Sequence, residues 1–355
     1  MRQPSLFGGI RGLIVLLLMV CLASMAVPQS GRRKDEQKKK PSPVDATTAA
    51  SEKTSQTGSQ TDTSSSTRAG QKQSDEVDSS DTLHISSTLV PVPASVVDAR
   101  GFVISNLKLE DFELQVDGQI KPISDLSRSQ TPVQLAMLFD NSGSLMESRD
   151  LEKHAAKRFF GRVLRPTDQA AIYSVATENY LAQPLTNDVR RLEQTIENFG
   201  KPEGGTALFD AVIEAAVYLH PSHGRRVIVI VSDGADTISN ADFETTMKRV
   251  LTLDCEVYVV QTGLYDNANV RDLVAERRME SLTGQTGGTV FRPRATNDLE
   301  SAFEEIAADL AQQYILSYYA VQERLDGRYH TIKLRVKTQQ NARVRSRQGF
   351  YSPKA

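Results

Sequence analysis

The sequence predicts an α/β protein: a doubly wound, mostly parallel sheet with helices on both faces, and a small β-domain built from segments before and after it. Three observations carry this. Val133–Phe139 contains an unbroken apolar run, Leu135 to Phe139, the mark of a strand buried on both faces, and it empties into Asp140-Asn141-Ser142-Gly143-Ser144. Val227–Val231 repeats the pattern and ends at Ser232-Asp233. Between and beyond these two strands, helical and extended patterns alternate, as a parallel sheet with crossover helices requires.

In chain order, the first stretch is a leader. Arg2 and Arg11 precede an apolar run from Leu13 that ends in the small residues Ala23-Ser24-Met25-Ala26. That pattern predicts a secretory signal over residues 1–26. The apolar run is short of the ~20 residues a spanning helix needs, which favours cleavage over an anchor. Val20 is bulky where a lipoprotein signal wants a small residue before Cys21. Residues 27–80 hold Lys38-Lys39-Lys40 and then Ser, Thr, Gln and Asp, with no aromatic residue between Phe7 and Phe102. Too little apolar area is present to offset ordering entropy, so a disordered tether is expected. Once the leader is removed Cys255 is the sole cysteine, so no intrachain disulfide is expected, and its apolar surroundings predict a buried, inert thiol. The 42 basic and 44 acidic residues balance, giving no global field that would draw nucleic acid.

Residues 81–130 read as short strands. Leu89–Val97 carries two prolines, which suits an edge strand or a first strand. Phe112, Leu114 and Val116 alternate with Glu113 and Gln115, and Asp117-Gly118 turns the chain into a hairpin. Residues 131–313 form the α/β domain. Helices are expected near 149–164, 188–199, 206–219, 241–253, 271–282 and 297–313, with strands at 168–175, near Leu181, and at 256–261 and 288–291. Residues 314–355 return to strands, with Ile332, Leu334 and Val336 alternating with Lys333, Arg335 and Lys337. Neither flank makes a comfortable core alone, so the two are expected to pack together with the α/β domain inserted between them.

Asp140-x-Ser142-x-Ser144, then Gly204-Gly205-Thr206, then Ser232-Asp233-Gly234, resembles the metal-ion-dependent adhesion site of von Willebrand factor type A domains. The resemblance covers roughly Val133 to Gln313. Leu109–Leu114 with Asp117-Gly118, Gln313-Tyr314 and Gly349-Phe350-Tyr351 are similar to stretches of exported bacterial "VWFA-related" proteins. The resemblance implies a Rossmann-like fold and a metal site of Asp140, Ser142, Ser144, Thr206 and Asp233 that takes Mg²⁺, or Mn²⁺ or Ca²⁺. It also implies a protein partner whose Asp or Glu carboxylate completes the coordination, in an exported protein of the periplasm, cell envelope or outside.

The residue types suit that chemistry. Mg²⁺ wants hard oxygens and keeps some water. Three hydroxyls and at most two carboxylates leave the ion electrophilic toward one more carboxylate. Thr206 is expected at a helix start, where N–H groups also favour anions. Asp236 reads as a solvated loop residue, with a place on the site's rim as the other reading. Two other readings of the same residues are a structural envelope protein with a stabilising metal and a metal-dependent hydrolase. The sequence has no Gly-x-Ser-x-Gly elbow, Walker loop, His-Glu-x-x-His or Cys-x-x-Cys, so a binding module rather than an enzyme is expected. His220-Pro221-Ser222-His223 reads as a surface turn. Lys333, Arg335, Lys337, Arg343, Arg345 and Arg347 read as exposed charge that discourages edge pairing.

Overall fold

The computed structural model describes residues 88–352 and 354, apart from 101, 129, 144–148, 263–269, 294–295, 321–325 and 340. The expected leader, tether and Ser144 lie outside the described residues.

The α/β domain is built on a six-stranded sheet. Its strands are β5 (Val133–Asp140), β6 (Gln169–Val175), β7 (Tyr180–Thr186), β8 (Arg225–Ser232), β9 (Cys255–Gln261) and β10 (Val290–Phe291), in the order β10-β9-β8-β5-β6-β7. All neighbours are parallel except β7, which runs antiparallel to β6 at the edge. Alternation along each strand sorts the core into two layers. Leu135, Met137 and Phe139 of β5, with Val227, Val229 and Val231 of β8, face α1 (Arg149–Val163), α2 (Val189–Glu197) and α6 (Thr296–Gln312). Ala136, Leu138, Ile228 and Ile230 face α3 (Leu208–Leu219), α4 (Phe243–Thr252) and α5 (Val270–Thr286). Small residues Ala211, Ala215 and Ala216 let α3 lie close to the sheet. Asp188 and Asp242 cap α2 and α4 through bonds to backbone N–H groups of their first turns. Among the described residues no helix is long and apolar enough to cross a membrane.

The flanks meet as expected. β1 (Thr88–Val97) pairs with β11 (Tyr314–Ala320) and β13 (Arg343–Ser346), and β4 (Asp125–Arg128) completes that sheet. β2 (Phe112–Val116) pairs with β12 (Tyr329–Val336) in a second sheet, with β3 (Gln119–Lys121) and β14 (Gly349–Tyr351) at its edges. One core serves both sheets: Val92, Ala94, Val96, Phe112, Leu114, Tyr314, Leu316 and Leu334 are all buried in it. Asp117 and Gly118 turn β2 into β3 with φ of 49° and 77°, the left-handed pair a tight hairpin needs.

Chain order alone does not make β1 an edge strand; it has neighbours on both sides. The prolines are tolerated because β13 pairs only from Ala94 onward. Pro91 and Pro93 share a parity that turns their nitrogens away from β11, and the Pro91 carbonyl accepts from Arg347 Nη2 instead. A strand central in its sheet is thus locally an edge where its N–H groups are missing.

Gln313 and Tyr314 hinge the two cores. Gln313 Nε2 donates to Glu256 Oε1 at 2.6 Å and its side-chain oxygen accepts from Arg225, inside the α/β domain. The Tyr314 hydroxyl accepts from Leu107 N at 2.9 Å and donates to Ile104 O at 3.0 Å, inside the β-domain. The basic stripe also splits, contrary to the expectation of uniform exposure. Arg345 pairs with Asp309 of α6 at 2.9 Å, and buried Arg347 pairs with Asp254, the residue before β9. Lys333, Arg335 and Arg343 are exposed.

Candidate functional site

The site forms where β5 and β8 end side by side. Open α/β sheets place ligands outside the carboxyl ends of their strands, and both motif aspartates reach that edge. Asp140 is the last residue of β5 and is 1% exposed. Its Oδ1 accepts from Ser142 N at 2.9 Å, and its Oδ2 accepts from Ser232 Oγ at 2.6 Å. Ser232 Oγ in turn accepts from Gly234 N at 3.0 Å. Asp233 is half-buried; its Oδ1 accepts from Ala235 N at 2.9 Å, and its carbonyl accepts from Gln261 Nε2.

The Thr206 segment is brought to the same place. Asn141 N donates to Val175 O, Glu203 N to Asn141 O, and Gly143 N to Gly204 O at 3.3 Å. Gly204 has a φ of +77°, and a Cβ there would lie 2.4 Å from Thr177 Oγ1, so only glycine fits. Thr237 fixes Thr206 by its backbone: Thr206 N donates to Thr237 Oγ1 at 2.8 Å, and Thr237 N donates to Thr206 O at 2.9 Å. The backbone is held on both sides, and the Thr206 hydroxyl makes no hydrogen bond with the described residues. Asp140, Ser142, Thr206 and Asp233 therefore sit on three adjoining loops. Ser144 lies outside the described residues.

Two expectations need correction. α3 begins at Leu208, two residues after Thr206, and its first N–H groups are already taken. Asp236 Oδ1 accepts from Phe209 N at 3.1 Å, and Ser239 Oγ accepts from Asp210 N at 3.2 Å. Those two groups are already bonded to acceptors within the chain. Asp236 is accordingly neither a solvated loop residue nor part of the site's rim, but the cap that Ala207 cannot be.

The charge balance at Asp140 bears on what the site can hold. Burial pushes the Asp140 carboxyl above its ordinary range, and the neighbouring Asp233 carboxylate pushes the same way, while the bonds from Ser232 and Ser142 pull it back. Among the described residues no basic side chain forms an ion pair with either aspartate. A buried carboxylate beside a second one, with hydroxyls around it, suits a hard cation that would neutralise both. Among the described residues no three His, Cys, Asp or Glu side chains converge.

Two contributors were not among the residues assigned to the site. Ser232 is the direct partner of Asp140. Arg149, the first residue of α1, is 5% exposed and reaches back under the loop: its Nη1 donates to Asp140 O at 2.7 Å and its Nη2 donates to Asn141 Oδ1. The guanidinium lies 4.4 Å from the Phe139 ring centre, and Phe139 stacks on Phe199 at 5.7 Å. The signal for Ser232 was its place at the end of an apolar strand. Nothing in the local pattern marked Arg149. The histidine turn is as expected, with His220 and His223 exposed.

A family model of the von Willebrand factor type A domain matches residues 135–235, the stretch that holds β5, β8 and the loops described above. Similar solved structures include a von Willebrand factor type A protein from Catenulispora acidiphila, with 11% identity, a TM-score of 0.45 and 74% of each chain covered. An aerotolerance-related membrane protein from Bacteroides fragilis is 21% identical with a TM-score of 0.41, over 50% of this chain and 98% of that one. The pilus adhesin SpaC from Lactobacillus rhamnosus GG is 9% identical with a TM-score of 0.44, over 68% of this chain and 48% of that one. No curated protein matches the chain.

Proposed function

We propose that this protein is an exported, divalent-cation-dependent protein-binding module. The observation that carries the reading is the buried Asp140 carboxylate, set beside Asp233 and hydroxyl donors and in no ion pair among the described residues. Asp140, Ser142, Ser144, Thr206 and Asp233 would hold Mg²⁺, Mn²⁺ or Ca²⁺. The bound ion would supply an electrophilic position for one further oxygen ligand, best met by a partner's Asp or Glu carboxylate. The chain's own contribution is positioning: Ser232 and Ser142 orient Asp140, and Thr237 orients Thr206. Recruitment rather than hydrolysis is favoured because the sequence carries no hydrolase motif and the Asp140 carboxylate, which accepts from Ser232 Oγ, is itself one of the proposed metal ligands.

Export rests on the basic, apolar and small-residue pattern of residues 1–26. Mass spectrometry of the protein from envelope and medium fractions should find a chain beginning at Val27; an intact Met1 on cytoplasmic protein would contradict export. A pull-down from envelope extract with and without Mg²⁺ tests the binding reading. Capture that needs Mg²⁺ and is lost on chelation supports it. Capture unchanged by chelation, with only the melting temperature falling, identifies a structural metal instead.

A further inference from the structure

We propose that Arg149 is a positioning residue for the metal site, setting the orientation of Asp140 through its backbone; this rests on the metal-site reading above. The peptide unit between Asp140 and Asn141 is gripped on both sides. Its carbonyl accepts from Arg149 Nη1 at 2.7 Å, and its N–H donates to Val175 O at 2.7 Å. The same guanidinium holds the Asn141 side chain through Nη2. With that peptide plane fixed, the Asp140 side chain leaves the strand in one direction, toward Ser232 and the Ser142 N–H. A planar fork is well matched to this arrangement, since two donors reach two acceptors on consecutive residues while the flat face rests on Phe139. Lysine offers a point charge and cannot reproduce the fork. The contact also spans nine positions of sequence, so the first residue of α1 closes the loop that begins at Asp140.

Position and charge make opposite predictions. A guanidinium near a cation site repels the cation, so if Arg149 acted through charge alone, its removal would tighten binding. If it acts by positioning, removal loosens binding, as loss of supporting bonds around metal ligands typically costs about 10–100-fold in affinity. The experiment is calorimetric titration of Mg²⁺ into chelator-treated protein for wild type, Arg149→Met, Arg149→Lys and Leu192→Ala. Leu192 packs in the same core layer as Phe139 and makes no bond to the loop, so its variant reports the effect of general destabilisation.

Expected is a loss of about 10–100-fold in Mg²⁺ affinity for both Arg149 variants, with Leu192→Ala binding like wild type. Tighter binding by Arg149→Met with unchanged Arg149→Lys would overturn the proposal in favour of charge. Equal weakening in Leu192→Ala would overturn it in favour of mere stability. If Arg149→Met does not fold, Arg149→Lys against Leu192→Ala decides. A wild type that binds no Mg²⁺ overturns the site reading itself, which separates that failure from the failure of Arg149.

Discussion

Ser232 Oγ donates to Asp140 Oδ2 at 2.6 Å, joining the ends of two parallel strands that are 92 positions apart in sequence. The same hydroxyl accepts from Gly234 N, so one serine sets the direction of a buried carboxylate and the turn that carries Asp233. Ser232→Ala leaves a buried carboxylate oxygen and a backbone N–H without partners. The expected cost is roughly 1–3 kcal/mol of stability in metal-free buffer, with weaker Mg²⁺ binding as well. Urea denaturation with and without chelator checks both; an unchanged midpoint in both buffers would show that the bond does not matter.

Tyr314 ties the β-domain to the strand leaving α6. Its hydroxyl serves Leu107 N and Ile104 O, and its ring meets Phe112 edge-on at 5.4 Å. Tyr314→Phe keeps the ring and removes both bonds, and should destabilise by about 1–3 kcal/mol. Hydrogen exchange at Leu107 N–H should speed up more than exchange in β5. Uniform change across both cores would contradict a local anchor.

Cys255 is 4% exposed, and burial pushes its thiol up to about 12. At pH 8 it should resist alkylation in the native protein and react promptly in denaturant, read by peptide mapping at Cys255. Rapid native labelling would show a reactive thiol rather than a packing residue.

Asp168 supplies a pH dependence. Burial raises its pKa, but the bonds from the Arg165 guanidinium and the N–H groups of Val133 and Arg165 outweigh it, and the net shift is downward. A depressed carboxyl contributes stability that is present above its unfolded value, near pH 4, and lost as pH falls through the folded value. The stability gap between wild type and Asp168→Asn should therefore be full at pH 7 and shrink below about pH 4. A gap that widens in acid would reverse the assignment.

Much of this architecture was legible because it depends on short-range pattern. The continuous apolar run of β5 needs burial on both faces, and alternation in β2 and β12 needs one wet face; both follow from period alone. The Asp140 motif could be placed because it follows a buried strand, and Thr206 because it stands just before a helix. What was not legible depends on long-range partners. Asp236 caps α3 from 27 residues away, and no local signal distinguishes that from a solvated loop. Arg345 and Arg347 continue the charge alternation of exposed strands, yet Asp309 and Asp254 turn them inward. The prolines of β1 suited an edge strand or a first strand, and only the late start of β13 shows how they fit beside a neighbour. Arg149 is hidden for a different reason: its acceptors, only nine and eight positions back, are a backbone carbonyl and an amide side chain, which leave no mark in the charge pattern.

Whether Asp140 and its neighbours hold a divalent cation is tested most directly by thermal melting of wild type and Asp140→Ala, in chelator-treated buffer titrated with Mg²⁺. Truncation relieves the burial of one carboxylate and its repulsion with Asp233 but removes the acceptor of the Ser232 hydroxyl and the Ser142 N–H, so the metal-free variant should fold and melt somewhat below wild type. Binding to the native state raises stability by mass action, so wild type should melt progressively higher as Mg²⁺ is added, while Asp140→Ala does not respond. If Asp140→Ala gains as much from Mg²⁺ as wild type does, the site assigned here is wrong.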